Sequence, residues 1–150
     1  MSRPRIRVLC VDDSTLFTSA WARLLSRQED MECAGSLDRA DELVSVAQSS
    51  KADVVLLDLT MVGRDPLDAM IELKSTCPGI KVVVCSGYSD RGRREQASKA
   101  GASGYVDKVD QPSRILDTLR RVTAEVPQSE DRPGVGPSPR DESRPTSFGR

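Results

Sequence analysis

The sequence predicts an α/β fold: a doubly wound, five-stranded parallel sheet built as (βα)5, with strand order 2-1-3-4-5. Three observations predict it. Five short apolar runs recur along the first 106 residues. Segments with helical spacing separate them. Three of the runs are nearly continuous in Val, Ile and Leu, as strands buried on both faces require. Alternating strands and helices imply right-handed βαβ crossovers and a parallel sheet covered on both sides.

The strand runs are Ile6–Val11, Met31–Ala34, Val54–Leu57, Val82–Cys85 and Gly104–Val106. The second is weaker and flanked by polar residues, which suits an edge. Between the first two runs, Leu16, Phe17, Ala20, Trp21, Leu24 and Leu25 recur at i, i+1 and i+4, giving one apolar stripe. Leu43, Val44 and Ala47 repeat the pattern. Leu67, Met70 and Ile71 follow Asp65-Pro66, an N-cap residue and a proline at the first helical position. Ile115, Leu116, Leu119 and Val122 follow Gln111-Pro112 in the same way. The fourth helix, about Arg91–Ala100, is poor in large apolar residues and is expected to pack least tightly. Five such units give the flavodoxin-like sheet, in which ligands bind beyond the carboxyl ends of the strands at the switch point between strands 1 and 3.

The chain of 150 residues is sized for one domain and an extension. Residues 1–125 form the folded unit. Residues 126–150 change character: five prolines, three glycines and mixed charges, with Phe148 the lone aromatic. Such a segment cannot bury enough apolar surface to offset chain entropy, so a disordered tail is expected. A docking role centred on Pro145–Phe148 is its sharper reading.

Net charge is −1, with 30% of residues charged. That mixed surface argues against non-specific binding to nucleic acid or an anionic membrane, which needs a basic face. No apolar run approaches the roughly 18 residues of a membrane span. The N-terminus lacks the h-region of a signal peptide. A cytoplasmic location is therefore expected. The four cysteines, Cys10, Cys33, Cys77 and Cys85, form no CxxC pair, and histidine is absent. Common zinc sites are thereby disfavoured, and the cysteines read as small buried apolar residues of a reducing compartment. The missing histidine excludes Ser-His-Asp and Cys-His catalysis and a phosphohistidine on this chain.

The acids carry the functional signal. The first strand ends in Asp12-Asp13 and the third in Asp58, and the strand order makes these ends neighbours. Like carboxylates about 4 Å apart repel by roughly 4 kcal/mol at an effective dielectric near 20. A hard dication relieves this, and magnesium suits a few carboxylates plus water. The fourth strand ends in Ser86-Gly87 and the fifth in Asp107-Lys108, adding a hydroxyl, a space beside it and an ammonium. Acids, hydroxyl and lysine around a metal form a site for a phosphoryl group. Each residue also has an ordinary reading: Asp12 or Asp13 as a helix cap, Asp58 as a loop acid, Ser86 as a turn residue, Lys108 as a solvated surface lysine. Their joint placement at four strand ends favours the site.

Together, IRVLCVDDSTLF, VVLLDLTM, VVVCSG and GASGYVDK resemble the receiver domain of bacterial two-component response regulators, from about Ile6 to Val122. The stretch GYVDKVDQPSRILDTLRRV is closer to receivers joined to helix-turn-helix domains than to chemotaxis-type receivers, although only the tail follows here. The resemblance implies Asp58 as phosphoacceptor, Asp13 as a direct magnesium ligand, Asp12 assisting through water, and a backbone carbonyl from Thr60. It implies that Ser86 and Lys108 meet the phosphoryl oxygens and that Tyr105 is the aromatic switch. It implies a donor phosphohistidine on a sensor histidine kinase or phosphotransfer protein, and an output face of helix 4, strand 5 and helix 5 that engages a protein partner or a second copy. The chain is expected to be a phosphoryl acceptor rather than an enzyme, apart from slow self-dephosphorylation, and to contact neither nucleic acid nor membrane directly. Two positions depart from the pattern: Val62 and Val109 stand where such receivers usually carry proline. A non-proline cis bond costs about 3 kcal/mol, so a trans bond or a reshaped loop is expected after Lys108. Competing readings are a phosphorylation-independent binding module and a magnesium-dependent phosphohydrolase.

Overall fold

The computed structural model describes residues 4–87 and 91–124. The elements alternate strictly: β1 (Ile6–Val11), α1 (Thr15–Ser26), β2 (Met31–Leu37), α2 (Leu43–Ser49), β3 (Val54–Asp58), α3 (Pro66–Thr76), β4 (Lys81–Ser86), α4 (Arg91–Lys99), β5 (Gly104–Asp107) and α5 (Pro112–Ala124). The sheet order is β2-β1-β3-β4-β5, all parallel. This is the predicted flavodoxin-like (βα)5 architecture. The tail reading, including Pro145–Phe148, falls outside the described residues.

Period-two alternation divides the apolar strand residues between two layers. Leu9, Val11, Val55, Leu57, Val82 and Val84 face α2, α3 and α4, meeting Leu43, Met70, Leu73 and Ala97. Val8, Cys10, Val54, Leu56, Val83 and Cys85 face α1 and α5, meeting Trp21, Leu25, Ile115 and Leu119. Strand β2 runs three residues beyond the predicted Ala34. A register shift between Val8 and Leu9 lets Gly35, Ser36 and Leu37 pair with Leu9, Cys10 and Val11.

Several apolar positions depart from the sequence reading. On α1 the buried residues are Thr18, Trp21 and Leu25, while Leu16 is 81% exposed and Ala20 is also exposed. Leu16 lies nine residues from Leu25, about 180° around a 3.6-residue helix, so one stripe cannot hold both. On α3, Met70 and Leu73 point inward and Ile71 is 51% exposed. All four cysteines are free, but only Cys10 and Cys85 are buried; Cys33 and Cys77 are half-buried. Helix α3 starts as expected, with Asp65 Oδ1 accepting from Leu67 N at 3.0 Å and Pro66 in the first turn.

Helix α4 has the expected thin apolar side, with Ala97 buried among its described residues. It is nevertheless held by polar contacts that periodicity does not reveal. Arg93 Nη2 donates to Leu59 O at 2.9 Å and to Asp65 Oδ1 at 2.8 Å, and Arg94 Nη2 donates to Asp107 Oδ1 at 2.6 Å.

The β3–α3 loop contains the first of the two departures from the family pattern. Val62 is exposed, and Gly63 has φ +92°. A Cβ at Gly63 would stand 2.7 Å from Asp41 Oδ1, the same oxygen that accepts from Arg64 N at 3.1 Å. Gly63→Ala thus meets backbone strain and a close contact together. We expect it to cost about 1–2 kcal/mol, measured as a lower denaturant midpoint at unchanged slope. At the second departure, the Lys108–Val109 bond is trans, since no cis peptide occurs among the described residues.

Candidate functional site

The sheet register assembles the site. Val11 pairs with Leu57, so Asp12 and Asp13 emerge beside Asp58. Asp58 pairs with Cys85, and Ser86 pairs with Asp107. Lys108 N donates to Ser86 O at 3.1 Å, tying the last two strand ends together.

Asp12 and Asp58 are almost completely buried, at 2% and 3% exposure, whereas Asp13 is exposed. One oxygen from each of Asp12, Asp13 and Asp58 lies within 4.8 Å of the others. At that distance each charged pair repels by about 3 kcal/mol at an effective dielectric near 20. Lys108 Nζ answers part of this charge, 2.8 Å from Asp12 Oδ2 and 3.4 Å from Asp58 Oδ2. Its ammonium also sits 5.2 Å from the centroid of the Phe17 ring, within cation–π range.

Asp12 does not cap α1. Ser14 does, its hydroxyl accepting from Phe17 N at 3.2 Å, while Asp12 Oδ1 accepts from Ser14 N at 2.8 Å. The other oxygen, Asp12 Oδ2, is buried and accepts no aligned hydrogen bond among the described residues; its contact with Lys108 is a charge contact. Ser86 Oγ is likewise buried without a hydrogen-bond partner among the described residues.

Burial pushes the Asp58 carboxyl up to about 6; the Thr60 N–H, donating at 3.1 Å, opposes this, the charge of Asp12 adds to it, and Lys108 opposes it. Burial draws the Lys108 ammonium down, but contact with Asp12 and the field of Asp58 outweigh it, so its net displacement is upward.

Three carboxylates facing one ammonium leave a formal charge near −2. That residual charge, held on three converging carboxylates, fits a hard divalent ion such as Mg2+. Thr60 is the second residue beyond β3, where its carbonyl would join them. At Gly87 a Cβ would meet nothing within 4 Å, so the rim beside Ser86 is open to the described residues. Tyr105 lies on β5 against the α4 side of the core, half-buried, its hydroxyl shielded and without a hydrogen-bond partner among the described residues. Phe17 was legible only as a core residue, and nothing in the sequence pattern marked Arg93.

The family described as the response regulator receiver domain matches residues 8–120. The chain belongs to this family. Members are receivers of two-component systems in which phosphorylation and Mg2+ are general features. They are signalling domains rather than metabolic enzymes, and they interact with histidine kinases or phosphotransfer proteins.

Among relatives of this receiver, chemotaxis protein CheY of Thermotoga maritima is 32% identical over 117 residues, covering 78% of this chain and 97% of that protein. Response regulator protein VraR of Staphylococcus epidermidis is 32% identical over 116 residues, covering 77% of this chain but 56% of that protein. The receiver thus spans nearly all of the one and about half of the other. In structure it is similar to the signal receiver domain of NarL from Mycobacterium tuberculosis, with TM-score 0.75, 24% identity, and coverage of 81% of this chain and 98% of that one. That likeness bears on the fold alone. No helix among the described residues of the receiver is long and apolar enough to cross a membrane.

Proposed function

We propose that this receiver accepts a phosphoryl group on Asp58 from a phosphohistidine of a sensor histidine kinase or phosphotransfer protein. The observation that carries this reading is the placement of Asp58: buried, within 4.8 Å of two further carboxylates and 3.4 Å from the Lys108 ammonium. An Asp58 carboxylate oxygen attacks phosphorus in line. The O–P bond forms as the P–N bond to the donor imidazole breaks, and the imidazole leaves with its electron pair. Asp12, Asp13, Asp58 and the Thr60 carbonyl would hold Mg2+, which supplies charge neutralisation at the phosphoryl oxygens. Lys108 transfers its contact from Asp12 to a phosphoryl oxygen. Ser86 donates its hydroxyl to another, with Gly87 leaving the approach open.

The phosphoryl group, carrying about −2 where the carboxylate carried −1, then favours the conformers in which Ser86 and Lys108 close on it. Tyr105 follows into the space behind Ser86, and the α4–β5–α5 face changes the protein partner it accepts or the pairing of two copies. Exposed Leu16, Val62 and Val109 around the strand ends suit docking of the phosphodonor. On composition, residues 1–125 form the receiver and 126–150 an extension. The reading places the protein in the cytoplasm, with no direct contact to nucleic acid or membrane, and allows slow loss of the phosphoryl group in place.

Intact-protein mass after incubation with acetyl phosphate tests the reading. We expect a gain of one phosphoryl group with Mg2+ and none with excess chelator. No gain under either condition would instead favour a phosphorylation-independent binding module.

A further inference from the structure

We propose that Arg93, on α4, is a positioning residue for the metal and phosphoryl site: it holds the loop that follows Asp58. A single guanidinium nitrogen reaches both ends of this loop, donating to Leu59 O at 2.9 Å and to Asp65 Oδ1 at 2.8 Å. Leu59 is the residue next to Asp58. Asp65 is the residue that starts α3, where the same oxygen accepts from Leu67 N. Arg93 therefore joins three elements, β3, α3 and α4, at the point where the acceptor strand leaves the sheet.

The middle of the loop is held separately. Arg64 N donates to Asp41 Oδ1, and Arg64 Nη1 bonds Glu72 Oε1 at 2.6 Å. Between Leu59 and Arg64 no proline restricts the backbone, and Gly63 adds freedom. Burial of Leu59 and packing of Met61 hold the loop to the core, and these polar cross-contacts add to its set, the Arg93 bridge lying beside Asp58 and Thr60. The Thr60 N–H bond to Asp58 Oδ1 depends on where Leu59 is placed. Releasing the Leu59 carbonyl lets Thr60 turn, which loosens both the Asp58 carboxylate and the carbonyl that Thr60 would offer a metal.

The next residue extends the argument to the other half of the site. Arg94 bonds Asp107, the neighbour of Lys108. Consecutive arginines of α4 thus reach the acceptor side and the lysine side. If α4 moves on phosphorylation, its position must by reciprocity alter the affinity of the site for its ligands.

The inference rests on the Asp58 reading for its phosphoryl arm, whereas its metal arm stands on the carboxylate cluster alone. The experiment measures Mg2+ binding by calorimetry, unfolding temperature, and the rate of mass gain from phosphoramidate at saturating Mg2+, using the full chain. The proteins are wild type, Arg93→Ala, Arg93→Lys, Asp65→Asn and the Arg93→Ala/Asp65→Asn double variant. We expect Arg93→Ala to weaken Mg2+ binding roughly ten-fold, the low end for loss of an outer partner of a metal site. Arg93→Lys, which can present one nitrogen to both acceptors, should recover part of that affinity. Asp65→Asn keeps a competent N-cap and should weaken binding in the same direction, with the double variant no worse than Arg93→Ala.

Unchanged Mg2+ affinity in folded Arg93→Ala would overturn the proposal. So would a loss that merely tracks a lowered unfolding temperature and is not eased by lysine. If wild type binds Mg2+ but gains no phosphoryl group, the Asp58 reading fails and the affinity ratio still decides the role of Arg93.

Discussion

Asp58→Asn is expected to abolish the phosphoryl gain from acetyl phosphate completely. Asparagine preserves the shape of the side chain and can still accept from Thr60 N, but it offers no carboxylate to attack phosphorus. The remaining acids are poor substitutes. Asp12 directs one oxygen to Ser14 N and sets the other against Lys108. Asp13 is exposed, so a phosphoryl group there would lie open to solvent. The variant should fold and give a single unmodified mass at times when wild type is mostly converted. A full gain in Asp58→Asn, with the label mapped to Asp12 or Asp13, would overturn the assignment of the acceptor.

The second large effect concerns stability, pH and metal. Asp58 is raised from the usual carboxylate range near 4 to about 6, first by burial. An acid raised on folding favours the folded state while protonated. Its contribution is fully present below about pH 4 and is lost as pH rises through about 6. With chelator present, the metal-free protein should therefore lose stability between pH 4 and 7 on account of this group. Near pH 8 the cost of holding ionised Asp58 reaches up to about 3 kcal/mol, since each unit of displacement is worth about 1.4. Asp58→Asn should thus be more stable than wild type at pH 8 in chelator by about 1–3 kcal/mol. The gap should narrow toward pH 5 and narrow again when millimolar Mg2+ binds the wild-type carboxylates. Urea unfolding at the two pH values, with and without Mg2+, reads all four quantities. An Asp58→Asn protein no more stable than wild type at pH 8 in chelator would remove the argument that burial strains this carboxylate.

The parts of the molecule legible in the sequence are those with a periodic or positional signature. Near-continuous runs such as Val54–Leu57 and Val82–Cys85 have few outcomes other than central parallel strands. Once their order is set, the residues after each run must converge, and Asp12, Asp58, Ser86 and Lys108 do so. Helix orientation was less legible. The α1 run is apolar over more than half its circumference, so its buried side is chosen by the shape of the sheet, which takes Thr18 and leaves Leu16 outside. Ile71 was misread for the same reason. The tethers of α4 were invisible because an arginine bonding a distant carbonyl obeys no spacing rule: Arg93 and Leu59 are 34 residues apart. Phe17 showed its core role but not its place beside the Lys108 ammonium, which depends on Lys108 reaching from the end of β5 back to Asp12 and the start of α1.

The Lys108 N–H bond to Ser86 O fixes two anchor points. It links the peptide that carries the Ser86 hydroxyl to the peptide that carries the Lys108 ammonium, so neither backbone shifts far alone. Each side chain still turns about its own bonds, the lysine along a flexible four-carbon stem. The proposal that both meet a phosphoryl group therefore asks for rotamer changes over a common base, not for a rearrangement of the two strand ends.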